Sequence, residues 1–241
     1  INDCANDFAY NKNLSFINQD ASINLWLNVK WPTFPSNRPK IMGITLDPWG
    51  CAEWRMAMPL RVLDKSSSAH IKFLQHGGED DRIIQAPYAT DIIRSNPDVL
   101  YMQTYIHDMH LEMIELYKKH CNTRLVYTLD DNLFELPEKN PTSNLVYPDI
   151  DERIEKVVNF CDRLIVSTEP LVDVYKGLID DIVVLPNYLE KTIWAPLTSK
   201  RRQGKKPRVG WAGAQQHQGD LELLIPIIEA TKDEVEWVFF G

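Results

Sequence analysis

The chain has no CxxC pair, no apolar run of membrane-spanning length, no surplus of positive charge and no internal repeat, and each absence removes a class of protein. Its four cysteines, Cys4, Cys51, Cys121 and Cys161, are scattered, so neither a zinc ribbon nor a disulfide framework is expected. With no signal-like apolar segment at the start, they are read as reduced, mostly buried thiols of a cytoplasmic protein. No stretch approaches the roughly 20 apolar residues of a transmembrane helix. Basic residues number 26 against 34 acidic ones, for a net charge of −8, a poor balance for coating nucleic acid, which needs clustered Lys and Arg. No repeat of solenoid period is found.

What is present is an ordinary globular composition, 44% hydrophobic over 241 residues, enough for one large domain or two small ones. The stretch with the clearest organisation is Pro207 to Gly241. Arg208 to Ala212 is short and apolar-rich, as a buried parallel strand would be, and runs into a Gly-Ala turn. A helix is expected from near Asp220, a good N-cap residue, with Leu221, Leu223, Leu224, Ile227 and Ile228 forming one apolar face. Val235 to Phe240 then reads as a second strand. In such a unit the unpaired N–H groups of the first helical turn make an anion site. Gly213 would let a phosphate approach, and Gln215, Gln216 and His217 would donate hydrogen bonds to a diphosphate or ribose. The plainer alternative, equally open, is that Gly213 only permits the turn and His217 is solvated.

Upstream, strands and helices alternate. Strands are expected at Lys40 to Leu46, Ile71 to Gln75, Val99 to Gln103, Arg124 to Leu129, Arg163 to Ser167 and Ile182 to Leu185. Helices are expected at Ala52 to Leu63, with a Met56, Leu60, Leu63 stripe, and at His107 to His120, Asp151 to Cys161 and Glu169 to Leu178. The alternation predicts an α/β fold, a Rossmann-like parallel sheet domain with helices on both faces, followed by the beginning of a second Rossmann-like domain. Residues 1 to 39, rich in Asn and in large apolar side chains without sustained periodicity, read as an N-terminal extension suited to packing on a protein partner. Domain boundaries follow: 40–197 for the first domain, 198–206 (TSKRRQGKK) for a solvated linker lacking the aromatic interleaving of a nucleic-acid site, and 207–241 for the opening of the second. The first residue is Ile, so the chain is expected to be cut, processed or incompletely represented at its ends.

A Rossmann-like block, a linker, and a second block opening with GWAG and followed by His217 and Asp220-Leu221 together resemble the GT-B glycosyltransferases, in particular a family 4 and family 1-like group of bacterial and phage enzymes. GCAEWRMAMPLRVL (Gly50 to Leu63) and LVYTLDDNLFELP (Leu125 to Pro137) add to the likeness, which covers about residues 40 to 241. It implies a sugar transferred from a nucleotide-sugar donor to an acceptor hydroxyl, with no cofactor beyond that donor and no essential metal. Gly213, Ala214, Gln215 and His217 would lie near the donor diphosphate, and Gly50, Glu53 and Arg55 would border the cleft on the acceptor side. Arg55 would pair a phosphate or an acidic acceptor, or else form a salt bridge with Glu53 or Asp47.

Asp130 and Asp131 follow a strand at the edge where α/β sheets bind ligands. They would hold an acceptor hydroxyl or act as a base, or serve only as a turn and helix cap. The family's acidic pair and basic residues for ribose and sugar phosphate would come after Gly241, so the resemblance implies the acceptor-side domain and only the first part of the donor-side one. Two other readings stand beside it. In one, Asp130 and Asp131 are the metal-ligand pair of a metal-dependent GT-A-like transferase; in the other, the chain is a non-catalytic binding or assembly module.

Overall fold

The computed structural model describes residues 37–47, 50–75, 86–137, 147–198, 206–214 and 217–240. Cys4, Gln215, Gln216, nearly all of the N-terminal extension and 199–205 of the basic run lie outside them. The chain divides into two compact units, one holding the residues up to Asp131 together with Asp151–Tyr188, the other Asn132–Ile150 with Leu189–Gly241.

The first unit is a six-stranded, wholly parallel sheet. Its strands are β1 (Lys40–Thr45), β2 (His70–Gln75), β3 (Val99–Gln103), β4 (Arg124–Leu129), β5 (Arg163–Val166) and β6 (Ile182–Val184), in the order β2-β1-β3-β4-β5-β6. Parallel neighbours require crossovers, and helices supply them. A continuous helical stretch follows β1, running through α1 (Gly50–Ala52), a π turn (Glu53–Ala57) and α2 (Met58–Lys65). Then come α3 (Ala89–Ser95), α4 (Asp108–His120), α5 (Ile150–Phe160) and α6 (Glu169–Tyr175). This is the expected doubly wound α/β, Rossmann-like architecture.

Strand alternation sorts the core into two layers. On one face Tyr101 and Val126 pack with Met56 and Leu60, with Ile41, Phe73, Val99 and Ile165 around them. On the other, Met42, Ile44, Leu100, Met102, Leu125, Tyr127, Leu164 and Val166 are all buried. Each such side chain contributes about 1.5–3 kcal/mol. Gly43 allows the close approach of helix and sheet, since a Cβ there would run into Leu60 and lie 3.0 Å from Phe73.

The helix α3 was not anticipated from the sequence. It closes with Asn96 at φ 44°, a left-handed cap that satisfies the Ile92 carbonyl, and Pro97 follows. An Asn-Pro stop of this kind is the signal that could have found it. The thiols are also less buried than expected: of the three described cysteines only Cys161 is buried, while Cys121 is intermediate and Cys51 exposed.

The second unit contains a short helix α7 (Lys191–Trp194) and the strand-helix-strand unit β7 (Arg208–Ala212), α8 (Gln218–Thr231) and β8 (Glu236–Phe240). β7 and β8 pair in parallel from Arg208↔Glu236 to Ala212↔Phe240, and an Arg208–Glu236 ion pair of 2.9 Å marks the start of that register. The expectation of a buried strand is corrected here, because no residue of β7 or β8 is buried. The single apolar face expected for α8 also proves incomplete. Leu221, Leu224 and Ile228 are half-buried, whereas Leu223 and Ile227 are exposed at 76% and 51%. The helix is apolar on nearly every side, and two strands can cover only one of them.

Candidate functional site

In a doubly wound sheet the strand order reverses at one point, and ligands gather beyond the carboxyl ends of the strands there. Here that point lies between β1 and β3, whose crossovers leave in opposite directions. The buried Thr45 hydroxyl donates to Gln103 Oε1 across it at 3.2 Å and also accepts the Asp47 N–H at 3.1 Å. The Asp47 carboxylate in turn accepts the Ala52 N–H at 2.9 Å, capping the start of the helix. Just past β3, Thr104 takes a left-handed φ of 62°. For a β-branched residue this is strain of about 1–3 kcal/mol, of the kind that collects at functional edges.

Asp130 and Asp131 stand at the carboxyl end of β4, and their backbone is fixed by neighbouring strands and helices. The Ser167 hydroxyl donates to the Asp130 carbonyl at 3.1 Å, and the Tyr175 hydroxyl to the Asp131 carbonyl at 2.6 Å. The turn reading finds its counterpart one residue on, where Asn132 Oδ1 accepts the Phe134 N–H at 3.1 Å. The Cys51 thiol lies near the Asp130 carboxylate. Burial of the sulfur, then Asp130, Asp47 and Asp131, push this thiol up to about 12. The residue as a whole is exposed, so solvent screens part of that rise. Cys51 is therefore a protonated thiol at neutral pH rather than a nucleophile.

The three residues expected to border the cleft separate. Gly50 and Glu53 are on the helix surface, with Gly50 exposed and Glu53 in an ion pair with Arg61. Arg55 goes the other way. It is 2% exposed, and the salt bridge considered with Glu53 or Asp47 is replaced by neutral partners. Its Nε and Nη2 donate to the Thr128 hydroxyl at 3.3 and 3.1 Å. Its Nη1 donates to the Leu185 carbonyl and to Asn187 Oδ1 at 2.9 Å. The cause is the π turn: Arg55, Met56, Ala57 and Met58 are four successive buried residues, which a regular 3.6-residue period on one packed face does not give. Thr128, Tyr101 and Asn187 were not singled out from the sequence. Thr128 did carry a signal, as a polar residue inside an apolar strand.

In the second unit Gly213 serves the protein's own packing. A Cβ there would lie 2.7 and 2.8 Å from the Trp211 ring and 3.0 Å from His217 Cβ, and its N–H is bonded to the Phe240 carbonyl at 3.0 Å. The expected gap for a phosphate over Gly213 is therefore filled by Trp211, and that N–H is spent on the sheet. Ala214 is exposed, with its carbonyl accepting the His217 N–H at 2.9 Å. His217 Nδ1 lies 2.9 Å from Asp220 Oδ2 with both side chains more than half exposed, and its Nε2 has no partner among the described residues. The helix α8 begins directly after His217, at Gln218.

Two further findings concern the other ends of the fold. At the amino edge of the sheet a polar pocket of about 590 Å³ includes Asp98, Lys118, Arg124 and Asp162. Its charges are engaged within the protein, through Lys118–Asp162 and Arg124–Asp181 ion pairs and the Lys40 N–H on Asp98 at 2.7 Å. Among the described residues no group of three or more His, Cys, Asp or Glu is placed to hold a metal ion, and no helix is long and apolar enough to cross a membrane.

No family model matches the chain, and no curated protein matches it. Among solved structures it is similar to a short-chain dehydrogenase/reductase from Veillonella parvula, at 10% identity over 54% of this chain and 69% of that one, with a TM-score of 0.33. A likeness so loose carries no argument about function. The class defined here, a Rossmann-like α/β protein, rests on the order and direction of its own strands.

Proposed function

We propose that this protein is a glycosyltransferase of GT-B arrangement, moving a sugar from a nucleotide-sugar donor to an acceptor hydroxyl. The supporting observation is the pairing of two kinds of unit in one chain, a doubly wound parallel sheet and a separate parallel strand-helix-strand unit whose first strand ends in Gly210-Trp211-Ala212 and runs into Gly213. In this reading residues 40–197 form the acceptor-side domain and 207–241 open the donor-side one. The start of α8, with Ala214, Gln215 and His217, faces the donor diphosphate, while Asp130 and Asp131 hold the acceptor hydroxyl and one of them takes its proton. Catalysis comes from positioning and from stabilising the departing diphosphate with N–H groups, without a metal.

Calorimetry against a panel of uridine-, guanosine-, adenosine- and thymidine-diphosphate sugars, with a metal chelator present, tests the proposal. At least one donor should bind at about 1 mM or tighter, and His217→Ala should weaken it. Binding that appears only with added Mn²⁺ would transfer the assignment to a metal-dependent mechanism. Absence of binding to every donor, with or without metal, refutes the transferase and leaves a binding or assembly module.

A further inference from the structure

We infer that Arg55 is a positioning residue, a buried strut that sets the backbone at Asp130 and at the Leu185–Asn187 turn from inside the sheet. The inference rests on the transferase reading only for its consequence in turnover.

The hydrogen bonds converge on Arg55. The Tyr101 hydroxyl donates to the Arg55 carbonyl at 3.0 Å, and Arg55 donates twice to the Thr128 hydroxyl and twice toward the Leu185–Asn187 turn. Thr128 also lies beside the Tyr101 side chain. Four of the five guanidinium N–H groups are thereby assigned, and every partner among the described residues is neutral. A buried cation held only by neutral acceptors has strict requirements. Hydrogen bonds to a charged group are stronger than those between neutral groups, and losing one leaves charge without compensation.

The planar fork is essential to this arrangement. One edge meets Thr128 on β4 and the other meets the chain leaving β6, a span that the single point charge of a lysine does not reproduce. Thr128 lies two residues before Asp130, whose carbonyl is held from the β5 side by Ser167. The backbone at Asp130 is thus anchored along the strand through Thr128 and across it by Ser167, the kind of support that keeps a working carboxylate in place.

The test uses the full chain and two independent readouts. The variants are Thr128→Val, Thr128→Ser, Asn187→Ala and Arg55→Lys. Asn187 is exposed, so its variant should fold even if Arg55→Lys does not. The first readout is backbone amide exchange without any substrate. Thr128→Val and Asn187→Ala should speed exchange by roughly tenfold or more at Leu129 to Asp131 and at Leu185 to Asn187 respectively, with β1 and β2 unchanged. Thr128→Ser, which keeps the hydroxyl, should restore the parent pattern. The second readout is sugar transfer: Thr128→Val should lower kcat roughly tenfold or more at unchanged KM for the donor, again with rescue by Thr128→Ser.

Unchanged local exchange in both Thr128→Val and Asn187→Ala overturns the inference. So does loosened exchange with full turnover. If the parent transfers no sugar, the functional reading falls, and the exchange experiment alone decides whether Arg55 holds this edge.

Discussion

The most quantitative prediction concerns His110, which the fold keeps neutral. This residue is fully buried on α4, its ring centroid is 4.7 Å from that of Tyr105, and its Nδ1 accepts the His107 N–H at 3.3 Å. The proton must therefore sit on Nε2, which has no partner among the described residues. Burial, and then the neighbouring His107, lower its pKa from 6.5 to about 3. His107 is lowered too, by burial and then by Arg153, with Asp108 acting the other way; the Arg153 guanidinium bonds the Ile106 carbonyl at 3.0 Å and Asp108 at 2.7 Å. Protonation would put a second cation into this surrounding and remove the acceptor that the His107 N–H uses.

The sign follows from which state takes up the proton first. An unfolded chain protonates its histidine near pH 6.5, and the folded chain only near 3, so the stabilisation is complete above the higher value and is lost progressively between the two. Each unit of pH in that window costs about 1.36 kcal/mol, or about 2 kcal/mol on going from about pH 6.5 to 5. His110→Gln keeps an acceptor at the third helical position, as a capping box uses, and removes the titration. Urea unfolding at about pH 7.5 and 5 should show the parent losing about 2 kcal/mol more than the variant across that interval. Parallel losses in the two proteins would refute the reasoning.

Two other predictions are independent of this one. Gly213→Ala should drive its new methyl against Trp211 and His217, an overpacking of about 1–3 kcal/mol, seen as faster amide exchange across β7 and β8 with β1 to β6 unaffected; unchanged exchange would mean the indole turns aside freely. Cys51, although exposed, should react slowly with iodoacetamide near neutral pH because its thiol is held up by burial and by Asp130, Asp47 and Asp131. Asp130→Asn should speed that reaction several-fold, and an equal rate in both proteins would detach Cys51 from Asp130.

Much of the architecture could be read directly because it depends on local pattern. β3, β4 and β7 fall on the expected residues, and the other strands and most helices shift by a few residues at their ends. Apolar runs bounded by breakers state their own limits. What escaped depends on contacts between distant parts of the chain. Nothing local in EWRMA says that its arginine will meet a threonine 73 residues later, and no periodicity announces a π turn. Gly213 illustrates the converse. A glycine before a helix suggested room for a ligand, but the ring two residues earlier took that room, and the aromatic neighbour was visible in GWAG itself. The two-sided apolar character of α8 was likewise present in LELLIPII, where a continuous run was read as a single stripe.

The π turn at Glu53–Ala57 also bears on how this segment tolerates changes of length. A π turn accommodates one residue more than the α turn around it, so it behaves as a single-residue insertion absorbed without breaking the helix. Deleting one residue there would restore a regular α turn and leave Gly50–Ala52 in nearly its present relation to Met58–Lys65, whereas a deletion in a regular turn would rotate one flank by about 100° against the other. Gly50 and Ala52 would stay near their present surroundings and Leu60 would keep its seat against Gly43, while the four successive buried positions from Arg55 to Met58 would give way to an ordinary one-sided stripe. Substitutions in the segment test one contact at a time, whereas a deletion tests the count, and the placement of Arg55 beneath the sheet edge is a property of the count.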